Sequence, residues 1–221
     1  AEGVPESVAR KIGEAESGGL LIERILLETE PGIVVPLRLI RPKANASRRP
    51  AVIYLRDRRG DHDKVELFQE LAGQGRIVAV ADVRGFGETM SPRNVPEAGV
   101  DYFDPRDGMD ADFAFASFFL GRPLLGMRVG DALAVAKYLR SRPEVDAKRL
   151  GMVGRGWAGL IALFTAAVDP EIAWAAIDGI PSSYGEIARR EVYAQPVSLL
   201  LPGALEDFDL EDVMASLAPR S

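Results

Sequence analysis

The hydrophobic rhythm of the chain changes near residue 50. Before that point, residues 20–29 (LLIERILLET) are rich in β-formers but alternate poorly, and residues 33–40 (IVVPLRLI) make a second run behind the turn signal Pro31-Gly32. Two such runs across a turn predict an antiparallel hairpin. Pro36 interrupts the second run; proline donates nothing to a ladder, so an edge position is expected. Residues 1–19 are polar with several glycines and read as a lead-in helix or loop.

Beyond residue 50, short continuous apolar runs alternate with helical spacing. Residues 51–55, 76–81, 149–153 and 172–177 read as buried strands, and 63–72, 110–119, 127–139 and 157–168 as helices. Met127, Ala132, Leu133, Val135, Ala136 and Leu139 carry the helical period most clearly. Strands alternating with helices imply parallel βαβ units covered on both faces. The expected fold is a three-layer α/β domain, mostly parallel, with an N-terminal antiparallel hairpin. With no internal repeat and no clear linker, residues 20–221 read as one domain behind the 1–19 lead-in.

The segment Gly154, Arg155, Gly156, Trp157, Ala158, Gly159 falls between a predicted strand and a predicted helix. Small residues at 154, 158 and 159 permit a sharp turn with close strand–helix packing, the build of a G-x-S-x-G nucleophile elbow. The central position, where a hydroxyl would meet substrate, is Gly156. The same residues also satisfy Gly-x-Gly-x-x-Gly, and Asp178 lies 22 residues after Gly156, so a nucleotide-binding turn is the rival reading. Its place as the third parallel strand, behind a hairpin, speaks against it.

Composition narrows the classes. The net charge is 27 − 33 = −6, which disfavours phosphate backbones, and the basic runs at Arg48-Arg49 and Arg56 to Arg59 are followed by carboxylates. No nucleic-acid partner is expected. No stretch approaches a membrane span of about 20 apolar residues. There is no cysteine, hence no disulfide, thiolate nucleophile or cysteine-bound metal. No cofactor or metal is called for. The sequence starts at Ala1, which reads as a processed or engineered start to a soluble chain and leaves a secreted or periplasmic location open.

Residues 81–89 (ADVRGFGET), 120–128 (LGRPLLGMR), 146–154 (DAKRLGMVG), 201–203 (LPG) and 207–213 (DFDLEDV) resemble the acetyl xylan esterase-like branch of the α/β-hydrolases, over roughly residues 20–221. The resemblance implies carbohydrate ester hydrolysis by a serine, a histidine and an acid, with a carbohydrate or small ester as ligand. Gly156 stands where the family pattern has serine. In the family, a phrase such as residues 217–220 (LAPR) leads into a strand with the acid and a loop with the histidine, so the sheet is expected to lack its last strands. The single histidine, His62, falls near the expected oxyanion loop instead. The expectation is a hydrolase-fold chain without serine-esterase activity, or a non-catalytic binding or scaffolding module that kept the cleft.

Surviving oxyanion donors would be backbone N–H groups: Trp157, and one from Arg56, Asp57, Arg58 or Arg59. Arg155, His62 and Asp178 are candidate ligand contacts, with a surface ion pair, a solvated loop histidine and a turn residue as their plainer alternatives. Asp82 with Arg84, and Arg128 with Asp131 at helix-neighbour spacing, read as bracing ion pairs. Phe113, Phe115, Phe118 and Phe119 line a sugar pocket or pack a core or lid. Ser182 and Ser183 read as turn residues. Finally, the strand at 172–177 would leave an open edge. The tail's apolar residues Leu205, Phe208, Leu210, Val213 and Leu217 could cover it; self-association through that edge is the favoured expectation.

Overall fold

Alternate residues of two neighbouring strands serve two different cores. In β4 (Arg49–Leu55) and β5 (Ile77–Ala81), Ala51, Ile53, Leu55, Ile77, Ala79 and Ala81 face the larger core, while Tyr54, Val78 and Val80 face the smaller one. Strands buried on both faces read as continuous apolar runs, which is why these two were visible as such. The computed structural model describes residues 7–43, 48–57, 64–90, 109–191 and 195–218. Its sheet has seven strands in the order β1-β2-β3-β5-β4-β6-β7, with β1 (Val8–Ser17), β2 (Leu20–Glu30), β3 (Ile33–Pro42), β6 (Val145–Arg155) and β7 (Trp174–Asp178) completing it. The last four positions are mutually parallel and the first three antiparallel. Helices α3 (Leu124–Ser141) and α4 (Trp157–Val168) cover the larger core, and α1 (Val65–Gly73) the smaller.

The front of the sheet departs from expectation in three ways. Residues 8–17 are a strand, not a lead-in helix or loop. Gly18 and Gly19 both have positive φ, and Ser17 pairs with Leu20, so the two glycines form a tight two-residue hairpin. The strand looked like a loop because nearly every side chain on it is exposed on both faces. The poor alternation of β2 is a matter of chemistry, not burial: Glu23 and Thr29 occupy inward positions and are buried. Glu23 is held by Arg41 at 3.1 Å and Arg142 at 3.1 Å, and Thr29 donates to Asp131 at 2.6 Å. Pro36 sits in a central strand, not at an edge. Its carbonyl accepts from Asp82 N–H at 3.1 Å, so its nitrogen also faces the β5 side, beyond the last paired residue Leu37. No ladder bond to β2 is lost there.

At the opposite end, β7 pairs only with β6 among the described residues. Among the described residues the tail packs over α4 rather than pairing along that edge. Leu210 and Val213 of α6 (Leu210–Ser216) are buried in the larger core with Phe208 and Leu217 packed beside them, over α4, while Leu205 stays half exposed.

Candidate active site

The carboxyl ends of β4, β5, β6 and β7 lie side by side, and the site is built from the turns that leave them. After β6 the chain passes through Gly156 directly into α4. Gly156 has φ 58 and ψ −126, a conformation that side chains other than hydrogen strain to adopt. Its N–H donates to Asp178 O at 2.8 Å, tying the turn to the end of β7, and its carbonyl accepts from Gly159 N–H at 3.1 Å.

The flanking glycines are fixed by contact. A Cβ on Gly154 would collide with the Ala158 carbonyl oxygen and stand 2.8 Å from Ala162 Cβ; one on Gly159 would stand 2.6 Å from Ile180 Cγ2. The strand–turn–helix expected from small residues at 154, 158 and 159 is therefore present, and the glycines serve helix–strand approach. The literal Gly-x-Gly-x-x-Gly match has this steric explanation without a nucleotide.

Asp57, at the end of β4, reaches the turn. Its Oδ2 is 3.0 Å from where a Cβ on Gly156 would stand. The carboxylate thus lies over the place of a nucleophile's side chain. Arg56, one residue earlier, is occupied: its N–H donates to Ala81 O at 3.1 Å, and its guanidinium grips Asp82 through Nε (2.6 Å) and Nη2. Its backbone N–H is spent on sheet pairing rather than held for an oxyanion. Trp157 opens α4, half buried against the larger core. Arg155 and Asp178 form an ion pair with each other at 2.9 Å, both more than half exposed. Arg58, Arg59 and His62 lie outside the described residues.

The bracing pairs exist with exchanged partners. Asp82, 2% exposed, pairs with Arg56 and also accepts Glu88 N–H at 2.9 Å. Arg84 pairs with the fully buried Asp131 through Nη2 (2.6 Å), Nε (2.8 Å) and its own N–H (3.0 Å), and with Glu30 at 2.7 Å. Arg128 turns from Asp131, three residues on, to Asp110, and lies over the Phe86 ring at 4.6 Å. Helix spacing put Arg128 beside Asp131, but the loop after β5 supplied the better-placed cation.

The aromatic cluster on α2 (Met109–Phe119) is turned outward. Asp110, Ala111, Ala114 and Ser117 are buried, while Phe113, Phe115 and Phe119 are exposed. Ser183 caps α5 (Tyr184–Ala188), accepting Glu186 N–H at 3.0 Å and donating to Asp209 at 2.5 Å; Ser182 bonds Glu186. Asp209 was not singled out from sequence. Burial raises its pKa, but hydrogen bonds from Ser183 and from the N–H groups of Leu210, Tyr184 and Gly185 outweigh that and bring it to about 2. Its spacing to Asp212, a capping box, was the available signal.

A strand–turn–helix of this geometry, behind an antiparallel front and inside a parallel sheet, invites comparison with known families. The dienelactone hydrolase family profile matches residues 36–203, more than half of the chain. The chain belongs to the dienelactone hydrolase family. Within the wider likeness, YtaP of Bacillus subtilis (strain 168), named as a candidate hydrolase, is 26% identical over 158 residues, 69% of this chain and 50% of YtaP. The chain thus spans half the length of the curated relative it matches. Among solved structures, a candidate acetyl xylan esterase (BF1801) from Bacteroides fragilis NCTC 9343 superposes with TM-score 0.82 at 16% identity, over 98% of this chain and 62% of that one. A glucuronoyl esterase from Solibacter usitatus gives TM-score 0.62 at 14% identity, over 98% and 67%. The fold of this dienelactone hydrolase family member is the α/β-hydrolase fold that such carbohydrate esterases share.

Proposed function

We propose that this chain is a carbohydrate-esterase-like member of its family that performs no serine-esterase chemistry and retains the elbow as a cleft for a neutral ester or carbohydrate group. The observation that carries the reading is Gly156 itself: the backbone of a nucleophile elbow with no hydroxyl on it. Serine hydrolysis needs a hydroxyl, a base to take its proton and a group to orient the base. Position 156 offers no hydroxyl, and the sequence has one histidine, His62. Where such a triad is removed in other enzymes, turnover falls by about six orders of magnitude. Asp57 supports the reading further, because a carboxylate beside the turn opposes the negative charge of a tetrahedral intermediate.

The test is turnover of 4-nitrophenyl acetate and acetylated xylan by the chain and by Gly156→Ser. Both are expected to stay at background, since no histidine lies beside position 156 among the described residues to take a serine's proton. Turnover by the unmodified chain that a serine-directed phosphonate abolishes overturns the proposal. Turnover gained in Gly156→Ser alone would show that a base is already at hand. ATP and NAD are expected to leave the melting temperature unchanged.

A further inference from the structure

We infer that the groove between the end of α2, α5 and residues 200–206 binds a small apolar monocarboxylate, an aryl or medium-chain alkyl acid, with Arg190 as partner of its carboxylate. The inference concerns binding alone and stands apart from the state of the elbow.

The groove is open to solvent along one side and offers about 530 Å³, within the range of small-molecule sites. Its walls are Phe118, Tyr184, Ile187, Leu200, Leu201 and Leu205, with small residues between them. The Tyr184 hydroxyl is already tied to Leu199 O at 2.7 Å, so that ring offers the groove its apolar body. Phe115 packs edge-on against Phe118 at 6.4 Å and carries the aromatic surface outward from the lip. Walls of this kind leave a sugar's hydroxyls without partners, a cost that scales with their number. They suit a flat or extended hydrocarbon.

Apart from Tyr184, two polar side chains line the groove, Arg190 and Glu206, both exposed. The guanidinium of Arg190 makes no hydrogen bond or ion pair with another described residue, whereas Arg56, Arg84, Arg128 and Arg142 are each committed to carboxylates. A free guanidinium at the mouth of an apolar groove complements a carboxylate. Glu206 on the lining limits the ligand to one negative charge. The frame is cross-tied: Asp209 accepts hydrogen bonds from Ser183, Tyr184 and Gly185, and Ala204 and Leu210 are buried. Preorganisation of this kind lowers the ordering cost of binding.

Displacement of the fluorescent probe 1-anilinonaphthalene-8-sulfonate from the full chain by 4-phenylbutyrate, with 4-phenylbutanol as its neutral counterpart, tests this. Phenylbutyrate should displace the probe saturably. Arg190→Gln should weaken phenylbutyrate about tenfold, the scale of one charge-assisted bond, and leave phenylbutanol unchanged. Ala188→Trp should abolish both by filling the groove. Ala188 is exposed; should that variant nonetheless lose its fold by circular dichroism, Arg190→Gln decides alone. Absence of saturable displacement overturns the inference. So do equal affinities for acid and alcohol, or a folded Ala188→Trp that binds as before.

Discussion

The turns that follow β5 and β6 flank the same strand, β4, and are held in opposite ways. The turn after β5 is fixed by buried charge: Asp82 to Arg56, Arg84 to Asp131, Arg128 to Asp110. The turn after β6 is fixed by the absence of side chains at 154, 156 and 159, and the ion pair beside it, Arg155 with Asp178, is in solvent. The first turn therefore tolerates no loss of a partner, and its own glycines, Gly85 and Gly87, serve the same pairs, since a Cβ on either would press against Arg128 or Asp82; the second tolerates loss of charge but no added carbon. Buried pairs broken from one side leave a charge uncompensated, whereas exposed pairs are worth little.

Four substitutions probe that contrast. Asp131→Ala removes the acceptor of Thr29 and of three Arg84 donors in the interior. It should cost about 3–5 kcal/mol in urea unfolding, the scale for a broken buried pair; a loss below 1 kcal/mol would break the comparison. Gly154→Ala should cost about 1–3 kcal/mol, at the upper end because the obstacle is the Ala158 backbone rather than a side chain that can swing away. Asp209→Ala should cost about 1 kcal/mol at neutral pH, as caps do. Its pH dependence sharpens the contrast between solvated and buried carboxylates. The folded pKa of about 2 lies below the unfolded value of about 3.9. The stabilisation is thus present above pH 4 and lost as the pH falls towards 2, so the acid melts of variant and parent should converge there. Arg155→Ala should cost least, less than about 1 kcal/mol in the same urea unfolding.

How much of this was legible in the sequence follows from which physics each part uses. β4 and β5 were visible because both faces are apolar, and the elbow because its glycines sit at fixed offsets between a strand and a helix. β1 was hidden because a ribbon wet on both faces has no hydropathy period; its only marker was Gly18-Gly19. Glu23 and Thr29 blurred β2 because their partners, Arg142 and Asp131, are about 100 residues away. The same distance effect exchanged the ion-pair partners: spacing sees Arg128 beside Asp131 but not Arg84 arriving from another loop. The groove at 184–206 was invisible for the same reason, since its aromatic wall comes from α2 and its floor from the tail.

The long, wet β1 ribbon has a consequence for how the molecule comes apart. Among the described residues it pairs in the sheet with β2 alone, an exposed ion pair from Glu16 to Lys43 adds one further tie, and no residue of it enters either core. Its amides should exchange with solvent far sooner than those of β4 or β6, through openings that leave both cores intact. A protease could trim this edge while the elbow stays folded. Each opening also uncovers the outer backbone groups of β2, a template for any passing strand. The irregularity between Lys11 and Gly13 adds local twist to the ribbon, and its outermost side chains include Arg10, Lys11, Glu14 and Glu16. The segment that is easiest to peel is thus also the guard that keeps the sheet from growing sideways.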